Sequence, residues 1–133
     1  IPIAYAIADY LNVPVVIVRP DNKVTEGPTV SINYISGSSK RIQTMLLSKR
    51  SLEVGSKVLV VDDFMKAGGT INGMKSLLDE FNATVAGIAV LIESSDREER
   101  LVDNYVSLLK LAEVDEREKQ IQVTKGNYFD LLK

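Results

Sequence analysis

The sequence predicts an α/β fold built on a mainly parallel sheet flanked by helices, and three features carry that expectation. The runs Val13-Pro14-Val15-Val16-Ile17-Val18, Lys57-Val58-Leu59-Val60-Val61 and Thr84 to Ile92 are short, apolar and rich in β-branched residues, as strands buried on both faces are. Between the last two, Ile71, Met74, Leu77, Leu78 and Phe81 recur at helical spacing. Strand, helix, strand in that order calls for a crossover connection and parallel neighbours.

The elements follow in order. Pro2 to Leu11 predicts a helix, with Pro in its first turn and an Ala-rich body. Val13 to Val18 is the first buried strand, and Asp21 to Pro28 is rich in turn formers. Thr29 to Ile35 alternates with period two, the mark of a half-exposed strand. Ser36-Gly37-Ser38-Ser39 is a flexible break, after which Ile42 to Leu47 returns as a hairpin partner. Lys57 to Val61 is the second buried strand and Thr70 to Phe81 an amphipathic helix. Thr84 to Ile92 and Tyr105 to Leu111 complete the sheet.

At 133 residues the chain fits one domain, and 45% hydrophobic with 26% charged residues is the mix of an ordinary globular protein. Sixteen Lys and Arg against 18 Asp and Glu leave a net charge of −2, so no global pull toward nucleic acid or a membrane follows. There is no Cys, His or Trp. Disulfide frameworks, the usual zinc sites, Ser-His-Asp triads and Cys nucleophiles are excluded. Chemistry falls to Asp, Glu, Lys, Arg, Ser, Thr, Tyr or a bound metal. No signal-peptide pattern precedes the first helix, and no apolar run approaches the roughly 18 residues of a membrane span, so a cytoplasmic setting is expected. The opening Ile1-Pro2 reads as part of a longer chain. The acidic clusters at Asp96 to Glu99 and Glu113 to Glu118 read as solvated faces.

Chemistry concentrates at the junction Val58-Leu59-Val60-Val61-Asp62-Asp63-Phe64-Met65-Lys66-Ala67-Gly68-Gly69-Thr70. In open α/β sheets, ligands bind where strand ends lead into helix N-termini. Gly68 and Gly69 let backbone approach a ligand, and the following helix N-terminus favours phosphate. Thr70 can cap that helix or offer its hydroxyl to the phosphate, and Lys66 adds a mobile positive charge. Two carboxylates would repel a polyphosphate laid directly on them, so Asp62 and Asp63 suit a ribose diol or a divalent cation. The loop therefore asks for a sugar phosphate. The Rossmann and P-loop spacings are absent.

Four apolar residues, two acids, four residues and Gly-Gly-Thr resemble the phosphoribosyl pyrophosphate (PRPP) signature of type I phosphoribosyltransferases. The resemblance implies that fold, with a small antiparallel hood from about Thr25 to Arg50. It implies that Asp62 and Asp63 hold ribose hydroxyls while Lys66, Ala67, Gly68, Gly69 and Thr70 hold the 5′-phosphate, with Phe64 and Met65 completing the loop. The wording Asp62-Asp63-Phe64-Met65-Lys66-Ala67-Gly68-Gly69-Thr70-Ile71-Asn72-Gly73-Met74 is more closely similar to the purine operon repressor family of Gram-positive bacteria. That resemblance implies an effector domain spanning residues 1–133 that binds PRPP, with Mg2+ as its companion and ppGpp-type alarmones as competitors. It also implies a homodimer, and operator DNA contacted through an N-terminal winged-helix domain missing from this chain. Phe64-Met65-Lys66-Ala67 stands where active enzymes carry hydroxyl and small residues, so binding without turnover is expected; a working purine phosphoribosyltransferase is the alternative. Arg19, at the end of the first buried run, and Lys40 and Arg41, beside the flexible break, are further candidates for ligand or phosphate contact; Lys49-Arg50 is a second basic pair.

Overall fold

The computed structural model describes residues 1–20, 27–36, 40–95, 100–112 and 121–132. The Asp21–Glu26 part of the expected turn, the break at Gly37-Ser38-Ser39 and the acidic clusters at 96–99 and 113–118 lie outside the described residues. Helix α1 runs Pro2–Leu11 and ends at Asn12, whose φ of 54° closes the helix in the left-handed conformation that Asn tolerates. Strands β1 (Arg19–Pro20), β2 (Thr29–Ile35) and β3 (Ile42–Ser48) form a three-stranded antiparallel sheet in the order β1-β3-β2. This is the hood. Strands β4 (Lys57–Met65), β5 (Thr84–Ser94), β6 (Val106–Leu111) and β7 (Val123–Lys125) form the main sheet in that order. Its first three strands are parallel and β7 is antiparallel to β6. Helix α2 (Gly69–Asp79) connects β4 to β5, and a 3-10 helix covers Asn127–Leu132.

The core lies between α2, the hood and one face of the main sheet. Ile71, Leu77 and Leu78 of α2 meet Val60, Ile88 and Val90 of the sheet and Met45 and Leu47 of the hood. The apolar stripe of the α2 helix is thus buried inside the domain. Hood and helix touch almost backbone to backbone. A Cβ placed on Gly73 would lie 2.8 Å from Tyr34 Cβ and 3.0 Å from Met45 Cε, so only glycine permits the approach.

Two expectations need correction. Val13 to Val18 is not a strand: among the described residues only Arg19 and Pro20 enter a ladder, against Leu46 and Met45. The run has no neighbouring strand to complete its backbone hydrogen bonds, and Pro14 has no N–H to offer one. Val13 and Val16 are exposed, while Val18 packs at the edge of the core. The second correction concerns β4, which is buried on one face only. Leu59 and Val61 on the other face line an apolar groove of about 400 Å³, bounded by Ile3 and Ile7 of α1 and by Tyr128 and Leu131. Strand β7 and the 3-10 helix had no counterpart in the sequence reading. Val123-Thr124-Lys125 is fully exposed and carries no apolar alternation; the ladder to Leu109, Lys110 and Leu111 makes it a strand.

Candidate functional site

The signature segment begins in β4, and the strand reaches further than its apolar run. Because β5 is eleven residues long, the ladder continues past Val61↔Ala89 to Asp62↔Val90, Phe64↔Ile92 and Met65↔Glu93. The two acids therefore stand inside the strand, and the loop proper shrinks to Lys66, Ala67 and Gly68. The two carboxylates nevertheless stay close enough to interact. Asp62 is half-buried, and its Oδ1 accepts the backbone N–H of Asp63 at 2.9 Å. Burial pushes the Asp62 carboxyl up to about 6; the Asp63 backbone bond opposes this, and the neighbouring Asp63 side chain adds to it. Asp63 is exposed. Phe64 is 42% exposed, whereas Met65 is 2% exposed and belongs to the core.

Gly68 turns the chain into α2. Its φ of 94° lies where side chains rarely go, and a Cβ there would meet Val102 Cγ2 at 2.9 Å. Gly68 is the N-cap, and no side chain caps the helix. The Asn72 N–H donates to Gly68 O at 2.8 Å, which leaves Gly69, Thr70 and Ile71 with no intrahelical acceptor for theirs. Thr70 sits in the first turn rather than at the cap. Uncapped N–H groups at the positive end of a helix dipole form a cradle for an anion.

The cradle is braced by a segment that the sequence reading left out. Leu101 N–H donates to Ala67 O at 2.9 Å, and Val102, 1% exposed, fills the space a side chain at Gly68 would need. Neither residue belongs to a motif; the signal would have been an isolated apolar pair directly after the acidic cluster at 96–99.

The remaining candidates sit on the hood. Arg19 is exposed in β1 opposite Leu46. Lys40 and Arg41 lie at the far end of the β2–β3 hairpin, where Lys40 N–H donates to Ser36 O and Ser36 N–H to Arg41 O; Lys40 has a φ of 52°. Asp62 through Thr70 run from the end of β4 into the first turn of α2, with Met65 turned into the core, while Arg19 lies in the hood sheet and Lys40 and Arg41 at the end of its hairpin.

Residues 1–125 match the phosphoribosyl transferase domain family. The chain belongs to that family. Its phosphoribosyltransferase fold is also seen in a solved adenine phosphoribosyltransferase from Thermoanaerobacter pseudethanolicus, with a TM-score of 0.65 and 25% identity over 83% of this chain and 61% of that one. Among curated proteins the domain is 67% identical, over all of its length and 47% of the relative's, to the purine biosynthesis transcriptional repressor PurR of Bacillus subtilis. It is 55% identical, over 98% of this chain and 48% of the relative's, to the purine biosynthesis transcriptional activator PurR of Lactococcus lactis. The likeness to purine operon repressors thus covers the whole sequence. The chain spans about half the length of these curated relatives. No described helix is long and apolar enough to cross a membrane.

Proposed function

We propose that this phosphoribosyltransferase domain is the effector-binding part of a cytoplasmic purine biosynthesis transcription regulator, and that its effector is PRPP. The uncapped start of α2 behind Gly68, set beside the half-buried Asp62, carries the reading. The 5′-phosphate rests on the N–H groups of Gly69, Thr70 and Ile71, with Lys66 and the Thr70 hydroxyl beside it. Asp62, in its ionised form, accepts from a ribose hydroxyl, and Asp63 faces the solvent side of the same sugar. A hydroxyl donated to Asp62 supplies part of the stabilisation its charge lacks when the site is filled with water alone.

Phe64, Met65 and Ala67 bring no side-chain donors, so the loop holds phosphate mainly through backbone, with Lys66 and Thr70 as its side-chain donors. That suits a sensor, which must bind its effector without consuming it. Among the described residues no group of three or more Asp or Glu could hold a metal. Mg2+ arrives with PRPP, held mainly by the ligand's pyrophosphate oxygens and water, as Mg2+ usually is beside one or two carboxylates. Guanine alarmones carry pyrophosphates of the same chemistry and compete for the same cradle. In the longer regulator, operator DNA is contacted by a winged-helix domain outside this chain, and two copies work as a homodimer.

Likeness to a solved adenine phosphoribosyltransferase supports a second reading, a working transferase on purine bases. Calorimetric titration of the full-length protein with PRPP and Mg2+ tests the first. Asp63→Asn should cost about 1.5–3 kcal/mol of affinity, the worth of one hydrogen bond to a charged group. Unchanged affinity would sink the site assignment. Pyrophosphate release with adenine, guanine, hypoxanthine or xanthine should match a protein-free control. Release that disappears in Asp63→Asn would promote the transferase.

A further inference from the structure

At the end of β5, a carboxylate is buried that has no part in the effector site proposed above. The Glu93 side chain is 4% exposed. Its Oε1 stands 3.4 Å from Lys110 Nζ, while Oε2 has no hydrogen-bond partner. Apart from Lys110, the Tyr105 hydroxyl is the other donor beside this carboxylate, and a buried oxygen left without a donor is disfavoured. Glu93 lines a cavity of about 360 Å³ together with Lys110, Lys125, Asn127, Phe129 and Asp130. That volume lies within the range of small-molecule sites.

The wall of this cavity is built rather than accidental. Asn127 Oδ1 accepts the Ser107 N–H at 2.7 Å, and its Nδ2 donates to Tyr105 O at 2.8 Å. Both ends of that amide are spent on β6, so it shapes the cavity without reaching a ligand. Gly126 lies so close to Ser107 that any side chain there would overlap the Ser107 carbonyl. Lys125 lies over the Phe129 ring, its Nζ 5.4 Å from the ring centre. The Tyr105 hydroxyl, pushed up to about 12 by burial and then by Glu93, keeps its proton at any physiological pH.

We propose that this cavity is a second small-molecule site that takes a compact zwitterion, a free amino acid being the plain case. Glu93 supplies an acceptor for an ammonium group, and Lys110 and Lys125 supply donors for a carboxylate. The lining carries charges of both signs, so a ligand that is itself neutral overall but charged at both ends pairs each without leaving an excess.

The experiment is an amide chemical-shift titration of the protein with glycine, L-glutamine and L-aspartate in turn, beside methylamine and acetate as single-charge controls. At least one amino acid should give saturable shifts at Lys110, Lys125, Gly126 and Asn127. Methylamine and acetate should bind roughly tenfold or more weakly, since each forgoes a charge-assisted hydrogen bond. Glu93→Gln should weaken the amino acid by a similar factor, while ribose 5-phosphate still shifts Gly69 and Thr70. If Glu93→Gln fails to fold, the exposed Lys125→Met serves in its place with the same expected loss. Absence of saturable shifts with all three amino acids overturns the proposal. So does binding that survives both substitutions, or single-charge controls that bind as tightly as the amino acids.

Discussion

Val13 to Val18 and Val58 to Val61 look alike in sequence, yet only the second is a strand. Both runs are apolar and rich in Val. The second lies beside β5 along a parallel ladder from Lys57↔Thr84 to Met65↔Glu93 and against α2 on one face. The first has no ladder partner among the described residues, and half of it faces solvent. Apolar content says that a segment wants burial; hydrogen-bond partners decide whether it becomes a strand.

The contrast can be broken most forcefully at the hinge that follows the second run. Gly68→Val places a β-branched side chain at a φ of 94° and against Val102, and should cost about 3 kcal/mol or more by chemical denaturation. A loss under about 1 kcal/mol would mean that the loop relaxes freely and that its shape is not fixed by Val102.

The same substitution made in each run sharpens the comparison directly. Val60→Ala, at a position 4% exposed, should lose about 2 kcal/mol from two buried carbons and the space they leave. Val16→Ala, at 38% exposure, should lose less than about 0.5 kcal/mol. Equal losses would show that the first run is as buried as the second and that its lack of a ladder is immaterial.

A smaller effect of opposite sign is expected at the end of β4. Asp62 has its carboxyl raised from 3.8 to about 6, so the folded protein binds a proton more readily than the unfolded chain. Its contribution favours folding below the unfolded value and is lost as pH rises through about 6. Asp62→Asn should therefore stabilise the domain at neutral pH, by about 1 kcal/mol once partial solvation is discounted. The gain should shrink as pH falls and vanish only below about pH 3, under both the unfolded value of 3.8 and the folded one, and denaturation midpoints at pH 7 and pH 3 check it. PRPP affinity of the unsubstituted protein should fall as pH drops through 6, because only the ionised Asp62 is a full acceptor.

Much of this was legible in advance, for reasons that can be named. The α2 helix, β2, β3, β5 and β6 announce themselves through local periodicity, and Gly-Gly-Thr after two acids announces the cradle, because those signals depend on neighbours in sequence. Three things depended on neighbours in space. The reach of β4 to Met65 comes from the length of β5, and β7 exists because Leu109, Lys110 and Leu111 offer it a ladder. The brace from Leu101 and Val102 joins residues more than thirty positions from the loop they hold. Glu93 escaped notice for the same reason, since an acid at the end of an apolar strand reads as a surface residue until the cavity beside it is seen.

The contact at Gly73 has a mechanical meaning. Side chains between packed elements act as cushions, because rotamers absorb small shifts before the backbone moves. Between α2 and the hood that cushion is missing on one side, and Tyr34 bears almost directly on the helix backbone. Moving α2 toward the hood by a few tenths of an ångström would therefore have to move β2, which is locked to β3 from Thr29↔Ser48 to Ile35↔Ile42. Helix and hood are therefore geared at Gly73 rather than sprung, and neither can shift toward the other alone.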